Sequence, residues 1–371
     1  MTLFAAIDRT NPDVAAHAED TYSFLNRVDD PVFERIRELL NAWFARYRAL
    51  QPARAANDVA GRIRSKQPLQ FDGAFWELYL HEAHIRLNFD VATHPEDVRH
   101  PDFVLTKGGE RLFLEATITG TNPGLPGSGS NAAQVYDWIN QAHDPNYFVS
   151  VDIIEAGRTT PKRREVTKPL EAWLAGLADN WRVHRAALER GDSSDLPSCE
   201  LAIRDWVLEF EAYPKSLKAR AESSLPTIGV YPGQAAWQGS SAEIVRAKLR
   251  GKATHYGDLD APFVIALHDV TPFASRGVMR EALFGLEQPF WSEKAGSANR
   301  VSAVLAASDF GMSSPARKTP ELWLNPHARH PVPGGLLSWP VVGQEGSDAS
   351  IDPAALFEIP ADWPGEPFQH S

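Results

Sequence analysis

Apolar residues recur every three or four positions in two stretches of the first ninety residues, and this spacing predicts two long helices. The first is expected to begin after Asp30-Pro31, because an acid can cap a helix whose first turn holds proline. The second is expected over about residues 73–88. Residues 1–29 lack the periodicity and are expected to be loosely structured. The apolar positions expected to face inward are Phe33, Ile36, Leu40, Phe44 and Tyr47 in the first helix and Phe75, Leu78, Tyr79 and Ile85 in the second.

Runs of β-branched and aromatic residues predict strands in the rest of the chain. PDFVLTK and RLFLEATI flank Gly108-Gly109, which predicts a β-hairpin over about residues 101–118, after a short strand near 89–93. Further strands are expected in NYFVSVDIIEAG, residues 201–212, TIGVY, PFVIALHDV, RVSAVLAAS and ELWLNP. Helices are expected near 131–143, over 168–189 and in SSAEIVRAKLRGKATHYG, and residues 119–130 are expected to form a loop. Strands mixed with helices predict an α/β fold with a mixed central sheet flanked by helices.

The proposed hairpin has a definite register. If Gly108 and Gly109 form a two-residue turn, Lys107 pairs with Glu110, and the numbers of every further pair also sum to 217. Asp102 then lies opposite Glu115, with Cβ atoms about 4.5–5.5 Å apart on one face of the sheet.

Two acids facing each other on a half-apolar face repel, and a cation between them would remove this penalty. A separation of about 5 Å suits two carboxylates that bind one Mg²⁺ at about 2.0–2.1 Å each. The alternative is a pair of solvated acids near strand ends.

Composition narrows the class of protein. The chain has 371 residues, of which 43% are hydrophobic, as expected for a globular protein of one large domain or two domains. The single Cys199 excludes an internal disulfide framework and a multi-cysteine zinc site, and indicates a reducing, cytoplasmic environment. The N-terminus does not resemble a signal peptide, and no apolar run is long enough to predict a membrane span.

The net charge of −11 argues against a broadly basic surface for nucleic acid. Much of the excess negative charge lies in residues 344–371, which hold six acids and no Lys or Arg. Residues 30–66, with eight Lys or Arg and four acids, form a more basic segment that could contact phosphates. A second basic cluster consists of Arg158, Lys162, Arg163, Arg164 and Lys168. Solvated surface is the alternative for both.

Other catalytic motifs are absent or weak. HEAH at residues 81–84 lacks the spacing of the HExxH zinc motif, so these histidines are expected to face solvent or the edge of the core. The chain has no GxSxG elbow and no Walker A loop.

A helix containing Glu77, followed by HPDFVL and then LFLEATI, resembles the PD-(D/E)xK superfamily of restriction-endonuclease-like nucleases. The resemblance is close over about residues 70–120. It implies a restriction-endonuclease-like α/β core over residues 70–295. An N-terminal helical extension over 1–69 would precede this core, and C-terminal strands with an acidic, proline-rich tail over 296–371 would follow it.

The resemblance also implies roles for individual residues. Asp102 would be the principal metal ligand and Glu115 the second, with a backbone carbonyl from Ala116 and an additional acid from Glu77. The implied cofactor is Mg²⁺ or Mn²⁺, and the implied reaction is hydrolysis of phosphodiester bonds in nucleic acid, usually DNA, in restriction or defence.

Thr117 departs from the motif, which has lysine at this position. Some related families place the lysine on a neighbouring helix, and Lys248 and Lys252 share one face of the helix before PFVIALHDV. Lys252 is expected within about 4–6 Å of Glu115 or Asp102, close enough to favour their charged forms. Thr117 and Gln134 are further candidate site-lining residues; Gln134 is expected on the helix after the glycine-rich loop, where some relatives place a polar site residue. The alternative is a catalytically silent member of the same fold that acts as a binding or scaffold protein.

Overall fold

The computed structural model describes thirteen stretches of the chain, which comprise residues 1–13, 15–16, 18–93, 100–119, 130–190, 196–220, 227–230, 238–270, 274–285, 289–291, 298–308, 310–343 and 351–365. The chain forms two compact units. The first contains residues 1–14, 20–120 and 237–371, and the second contains residues 15–19 and 121–236. The three-part division at residues 69 and 295 stays a prediction.

Helices and strands alternate along much of the described chain. The helices are α1 Thr21–Arg27, α2 Pro31–Leu50, α3 Ala53–Ile63, α4 Pro68–Arg86, α5 Ser130–Asn140, α6 Arg163–Gly176, α7 Trp181–Glu189, α8 Leu217–Arg220, α9 Gln238–Ala253, α10 Arg276–Phe284 and α11 Pro353–Phe357. The strands are β1 Asp90–Thr93, β2 Phe103–Lys107, β3 Glu110–Ile118, β4 Tyr147–Glu155, β5 Ser198–Ile203, β6 Trp206–Pro214, β7 Ile228–Val230, β8 Phe263–Asp269, β9 Ala303–Ser308 and β10 Glu321–Leu324.

The first unit is built on a six-stranded sheet in the order β1-β2-β3-β8-β9-β10. Strands β3, β8 and β9 run parallel, whereas β1–β2, β2–β3 and β9–β10 are antiparallel pairs. This arrangement confirms the mixed α/β class. The β2–β3 register also confirms the predicted sum of 217, from Phe103 opposite Leu114 to Lys107 opposite Glu110.

Helices cover both faces of this sheet. Leu112, Leu114 and Ala266 belong to one hydrophobic core together with buried side chains of α4. Phe113 and Ile265, on the opposite face, belong to a second core with buried side chains of α9 and α10. Every residue of β8 is buried, as expected for a parallel strand covered on both sides.

The N-terminal region contains more helix than its sequence pattern indicates. Residues 1–29 were expected to be loosely structured, and this is wrong for α1, where Asp20 accepts a hydrogen bond from the backbone of Ser23 and Phe24 and Leu25 are buried. Helix α3 has no counterpart among the predicted elements. Its short apolar face is stabilised mainly by packing against α4.

The two histidines of the HEAH segment are buried, so the expected position facing solvent or the core edge is wrong. His84 donates from Nδ1 to the carbonyl of Leu80 at 2.7 Å, and its Nε2 accepts from Trp339 Nε1 at 3.3 Å. Burial lowers the pKa of His81 and of His84 to about 4. Both side chains are therefore neutral parts of the core at physiological pH.

The second unit contains a four-stranded sheet in the order β5-β6-β4-β7, with one hydrophobic core shared by this sheet and helices α5, α6 and α7. The single helix predicted over 168–189 is wrong. Helix α6 begins earlier, at Arg163, and ends at Gly176, and a 3-10 turn over Ala178–Asn180 separates it from α7. Glycine and asparagine are weak helix formers, which accounts for the interruption.

The hairpin turn requires two positive φ angles, +59° at Gly108 and +86° at Gly109. No atom lies within 4 Å of a Cβ added at Gly109, so only backbone strain opposes a side chain there. We expect Gly109→Ala to lower the free energy of unfolding by about 1–2 kcal/mol. Gly61, which is exposed in α3 and also has no atom within 4 Å of an added Cβ, is the matched control. Gly61→Ala should raise the free energy of unfolding by about 0.5–1 kcal/mol. Chemical denaturation measures both, and equal effects of the two substitutions would contradict the turn assignment.

Candidate active site

The β2–β3 ladder ends where the candidate acids begin. The register would next pair Asp102 with Glu115 and then Pro101 with Ala116, but Pro101 has no N–H to donate to the Ala116 carbonyl. The N–H of Ala116 donates to Asp102 Oδ2 at 2.7 Å. Asp102 therefore precedes β2 and does not form the regular strand pair with Glu115 that the register predicts, but its N–H donates to Glu115 Oε2 at 3.3 Å. The two acids converge as expected.

The carbonyl of Ala116 faces the same edge of β3 as the Asp102 carboxylate. In a strand the N–H and C=O of one residue point to the same side, and those of the next residue point to the opposite side. Phe113 and Thr119 donate toward β8, to the carbonyls of Pro262 and His268. Ala116 is out of phase with these two residues and faces the β2 side, so three oxygen donors can meet there.

Glu115 is buried and is held by the end of α9. Its Oε1 accepts a hydrogen bond from Lys252 Nζ, and its Oε2 accepts from Tyr256 Oη at 2.5 Å. The side chain of Glu115 is 2% exposed and that of Lys252 is 28% exposed, so the amine links the buried acid to solvent. The expected proximity of Lys252 to Glu115 is confirmed.

Tyr256 is a site residue that the sequence analysis missed. Its number continues the spacing of four residues that joins Lys248 to Lys252, and this spacing was the available signal. The helix ends at Ala253, so the position of Tyr256 depends on the turn that follows. Proximity to Glu115 and burial both raise the pKa of Tyr256 above its usual range, with burial the larger cause.

Like charges are concentrated at this site. Burial raises the pKa of Asp102 well above its usual value, and the negative charges of Glu115 and Glu77 raise it further. Burial lowers the pKa of Lys248, the positive charge of Lys252 adds to this effect, and Glu115 opposes it. The site therefore combines a carboxyl group that is reluctant to ionise with an amine that loses its proton more readily than usual.

Glu77 is held from the side of α2 and α3. Tyr47 Oη donates to Glu77 Oε1 at 2.9 Å, and Arg62 forms an ion pair with Oε2. Glu77 affects the pKa of Asp102, so it belongs to the same electrostatic cluster, but its two oxygens already have partners. Tyr47 and Arg62 are further residues whose contribution the sequence analysis missed.

Two candidates from the sequence analysis remain, Thr117 and Gln134. Thr117 is buried on β3, two residues beyond Glu115. Gln134 lies on α5 of the second unit. Of the loop predicted over 119–130, residues 120–129 lie outside the described part of the chain. The roles of Thr117 and Gln134 stay predictions.

The donor set fits a hard divalent cation. Two carboxylates and one backbone carbonyl are ligands of the kind that Mg²⁺ and Mn²⁺ accept. Burial and the charges of Glu115 and Glu77 raise the pKa of Asp102, and a cation bound here would favour its ionised form. Within the described residues, however, no group of three or more His, Cys, Asp or Glu side chains is arranged to hold a metal ion. Any site here would depend on Asp102, Glu115 and the Ala116 carbonyl.

Comparisons with protein-family models, curated proteins and solved structures give no match for this chain. Among the helices of the described residues, none has both the length and the apolar character needed to cross a membrane.

The raised pKa of Asp102 predicts a pH-dependent cost to stability. The folded-state pKa exceeds the unfolded value, so folding takes up a proton, and stability falls as the pH rises toward and through the folded pKa. We expect Asp102→Asn to raise the free energy of unfolding at pH 8, without metal, by about 1–2 kcal/mol. Mn²⁺ should raise the melting temperature of the wild type and leave that of Asp102→Asn unchanged.

Thermal unfolding with EDTA and with Mn²⁺ tests both expectations. Asp8→Asn, at an exposed acid outside the site, is the control and should respond to Mn²⁺ as the wild type does. Equal Mn²⁺ stabilisation of Asp102→Asn and the wild type would contradict a metal site at Asp102.

Proposed function

We propose that this chain is a Mg²⁺- or Mn²⁺-dependent nuclease whose first unit has a PD-(D/E)xK, restriction-endonuclease-like core. The observation that carries the proposal is the contact of Lys252 with Glu115 beside Asp102. The motif position occupied by Thr117 lacks an amine, and a lysine from α9 supplies one to the same acid. DNA is the substrate that the resemblance favours, and restriction or defence is the corresponding biological role.

Each residue of the site has a distinct role in the proposed reaction. Asp102, Glu115 and the Ala116 carbonyl would hold the cation, which when bound supplies Lewis-acid polarisation of a phosphoryl oxygen and lowers the pKa of water. Tyr256 and Lys252 fix the orientation of Glu115. The positive charge of Lys252 can also stabilise negative charge that develops on the phosphoryl group.

Lys248 suits a different role from Lys252. Burial lowers the pKa of the Lys248 amine, so its neutral form is more accessible than that of an exposed lysine, and a neutral amine can accept a proton from an attacking water. Lys252 is paired with the buried carboxylate of Glu115. We therefore assign electrostatic stabilisation to Lys252 and a supporting acid–base role to Lys248.

The basic segment over residues 30–66 gives limited support for contact with nucleic acid. Several of its arginines already serve the fold: Arg37 donates to the carbonyls of Leu25 and Val28, and Arg62 pairs with Glu77. Arg164 and Lys168 of the second unit are exposed and are better candidates for phosphate contacts.

A cytoplasmic location is part of the proposal. Burial raises the pKa of the Cys199 thiol to about 11, so the only cysteine of the chain is protonated and poorly reactive. A protein of this composition needs no oxidising compartment.

One observation favours a second candidate function, a catalytically silent binding or scaffold protein of the same fold. Both carboxylate oxygens of Glu115 already accept hydrogen bonds, from Lys252 and Tyr256. An active enzyme would have to accommodate a cation beside these bonds, whereas a silent protein could keep them as a purely structural network.

Cleavage of plasmid, linear and single-stranded substrates with Mg²⁺ or Mn²⁺ separates these functions. We expect the wild type to cleave at least one substrate and Glu115→Ala to lose at least about 10²-fold in rate, because Glu115 would both bind the cation and organise the amine. Glu110→Gln, at an exposed acid on the same strand, should retain the wild-type rate. Equal rates for wild type and Glu115→Ala would indicate a contaminating nuclease and remove the support for catalysis.

The two lysines should differ in their effects. Lys252→Ala should lower the cleavage rate by about 10²–10⁴-fold, and Lys248→Ala should cost less and shift the pH–rate profile. Both variants should retain Mn²⁺ binding in a calorimetric titration. Arg250→Ala, at an exposed position of the same helix, is the control and should cleave normally. Wild-type activity in Lys252→Ala would rule out the proposed replacement of the motif lysine.

A further inference from the structure

A pocket of the first unit lies at the C-terminal end of β8 and has a volume of about 840 Å³. This end of a parallel strand is where open α/β sheets commonly bind ligands. The pocket is separate from the acid cluster formed by Asp102, Glu115 and Glu77. Glu115 pairs with Ile265, whereas Ile118 pairs with His268, which lines the pocket three residues or about 10 Å further along the sheet. The lining residues that matter here are Asp72, Phe75, His268, Phe310, Arg317 and Lys318.

The inner wall of the pocket presents hydrogen-bond acceptors. The Asp72 carboxylate forms no hydrogen bond or ion pair with any residue in the described part of the chain, and burial raises its pKa to about 6. His268 donates from Nε2 to the carbonyl of Phe310 at 2.7 Å, so its Nδ1 is an acceptor in the neutral ring. That Nδ1 is buried and has no partner among the described residues. A ligand with N–H donors would satisfy both groups.

The outer rim of the pocket is cationic. Ser314 Oγ accepts from the N–H of Gly311 at 3.0 Å, and the Ser314 carbonyl accepts from the N–H groups of Arg317 and Lys318 at 2.8 and 3.0 Å. These bonds hold the loop through its backbone. The side chains of Arg317 and Lys318 are exposed beside the pocket, where they can contact an anionic group.

An aromatic wall joins the two regions. The rings of Phe75 and Phe310 lie 6.2 Å apart between centroids with an interplanar angle of 27°. Both residues line the pocket and provide an apolar surface for a flat group.

We propose that this pocket binds a nucleotide, with its base directed to Asp72 and its phosphate to Arg317 and Lys318. A nucleotide combines N–H donors, a flat ring and a separate anion, which are the three properties that the walls require. The volume falls within the usual range of about 300–1,000 Å³ for small-molecule sites and exceeds what an amino acid needs. Guanine suits Asp72 best, because its adjacent N1–H and N2–H₂ groups can both donate to one carboxylate.

This site is independent of the proposed catalysis, because none of its residues belongs to the acid cluster. Two sources share the ligand chemistry: a free nucleotide, and a single nucleotide unit within a nucleic acid strand. The experiment therefore measures binding without metal, in EDTA, and treats the sources as separate arms.

Isothermal titration with guanosine monophosphate, inosine monophosphate, guanosine and inorganic phosphate tests the assignment. We expect guanosine monophosphate to bind at least tenfold more tightly than inosine monophosphate, which lacks the 2-amino donor. Asp72→Asn should weaken binding of guanosine monophosphate and guanosine at least tenfold. Arg317→Ala should weaken binding of guanosine monophosphate at least tenfold and leave binding of guanosine unchanged.

The Asp72 and Arg317 substitutions each have a matched control. Glu38→Gln and Arg280→Ala replace exposed residues outside the pocket and should bind guanosine monophosphate as the wild type does. Asp72→Asn is isosteric and removes a carboxylate that burial disfavours, so its melting temperature at neutral pH should not fall. Arg317→Ala changes an exposed residue and provides a second test if Asp72→Asn unfolds.

Competition with a guanine-containing single strand distinguishes the sources. Displacement of guanosine monophosphate by this strand, but not by the same strand with inosine, assigns the pocket to a nucleotide of the strand. Simultaneous binding of both assigns it to a free nucleotide. The proposal is overturned if no nucleotide binds at millimolar concentration, or if both Asp72→Asn and Arg317→Ala bind guanosine monophosphate as tightly as the wild type. Glu115→Ala should bind it normally, so failure of the nuclease proposal would leave this result unaffected.

Discussion

Burial of the Glu115 carboxylate is the constraint on which the arrangement of the first unit's site depends. A buried carboxylate is costly unless donors surround it, and here the donors come from three directions: the Lys252 amine, the Tyr256 hydroxyl and the Asp102 backbone. Helix α9 must therefore end beside β3, and the chain before β2 must pass close to the same acid. Removing any one donor leaves a buried charge less well satisfied, which is why these elements act together.

The second constraint is the proline that ends the β2–β3 ladder. Pro101 has no N–H to donate to the Ala116 carbonyl, and the N–H of Ala116 donates to the Asp102 side chain. The acid that accepts this backbone N–H is thereby held next to Glu115, with like charges close together. Burial raises the pKa of Asp102, and the charge of the neighbouring Glu115 raises it further.

The sequence predicted best where a single local rule decides the structure. Gly108-Gly109 specifies a turn with positive φ at both positions. This turn fixes the register of every β2–β3 pair up to Phe103 and Leu114. Prediction failed where packing outweighs local preference. Helices α1 and α3 have short apolar faces that pack against α4, and α3 also contacts α2. The interruption between α6 and α7 depends on two weak helix formers within an otherwise helical pattern.

The sequence by itself determined the mixed α/β class, the hairpin and the convergence of Asp102 with Glu115, because alternation and turn chemistry act between residues close along the chain. Only the tertiary structure decided the partners of those acids. Lys252 lies 137 residues from Glu115 and Tyr256 lies 141 residues away, so their contacts depend on how β8 aligns with β3 and how α9 packs on that pair. The same holds for the pocket at the end of β8, whose walls come from α4, β8 and the loop after β9. Local patterns carry no information on such distant pairs, because burial of the whole sheet sets their distances.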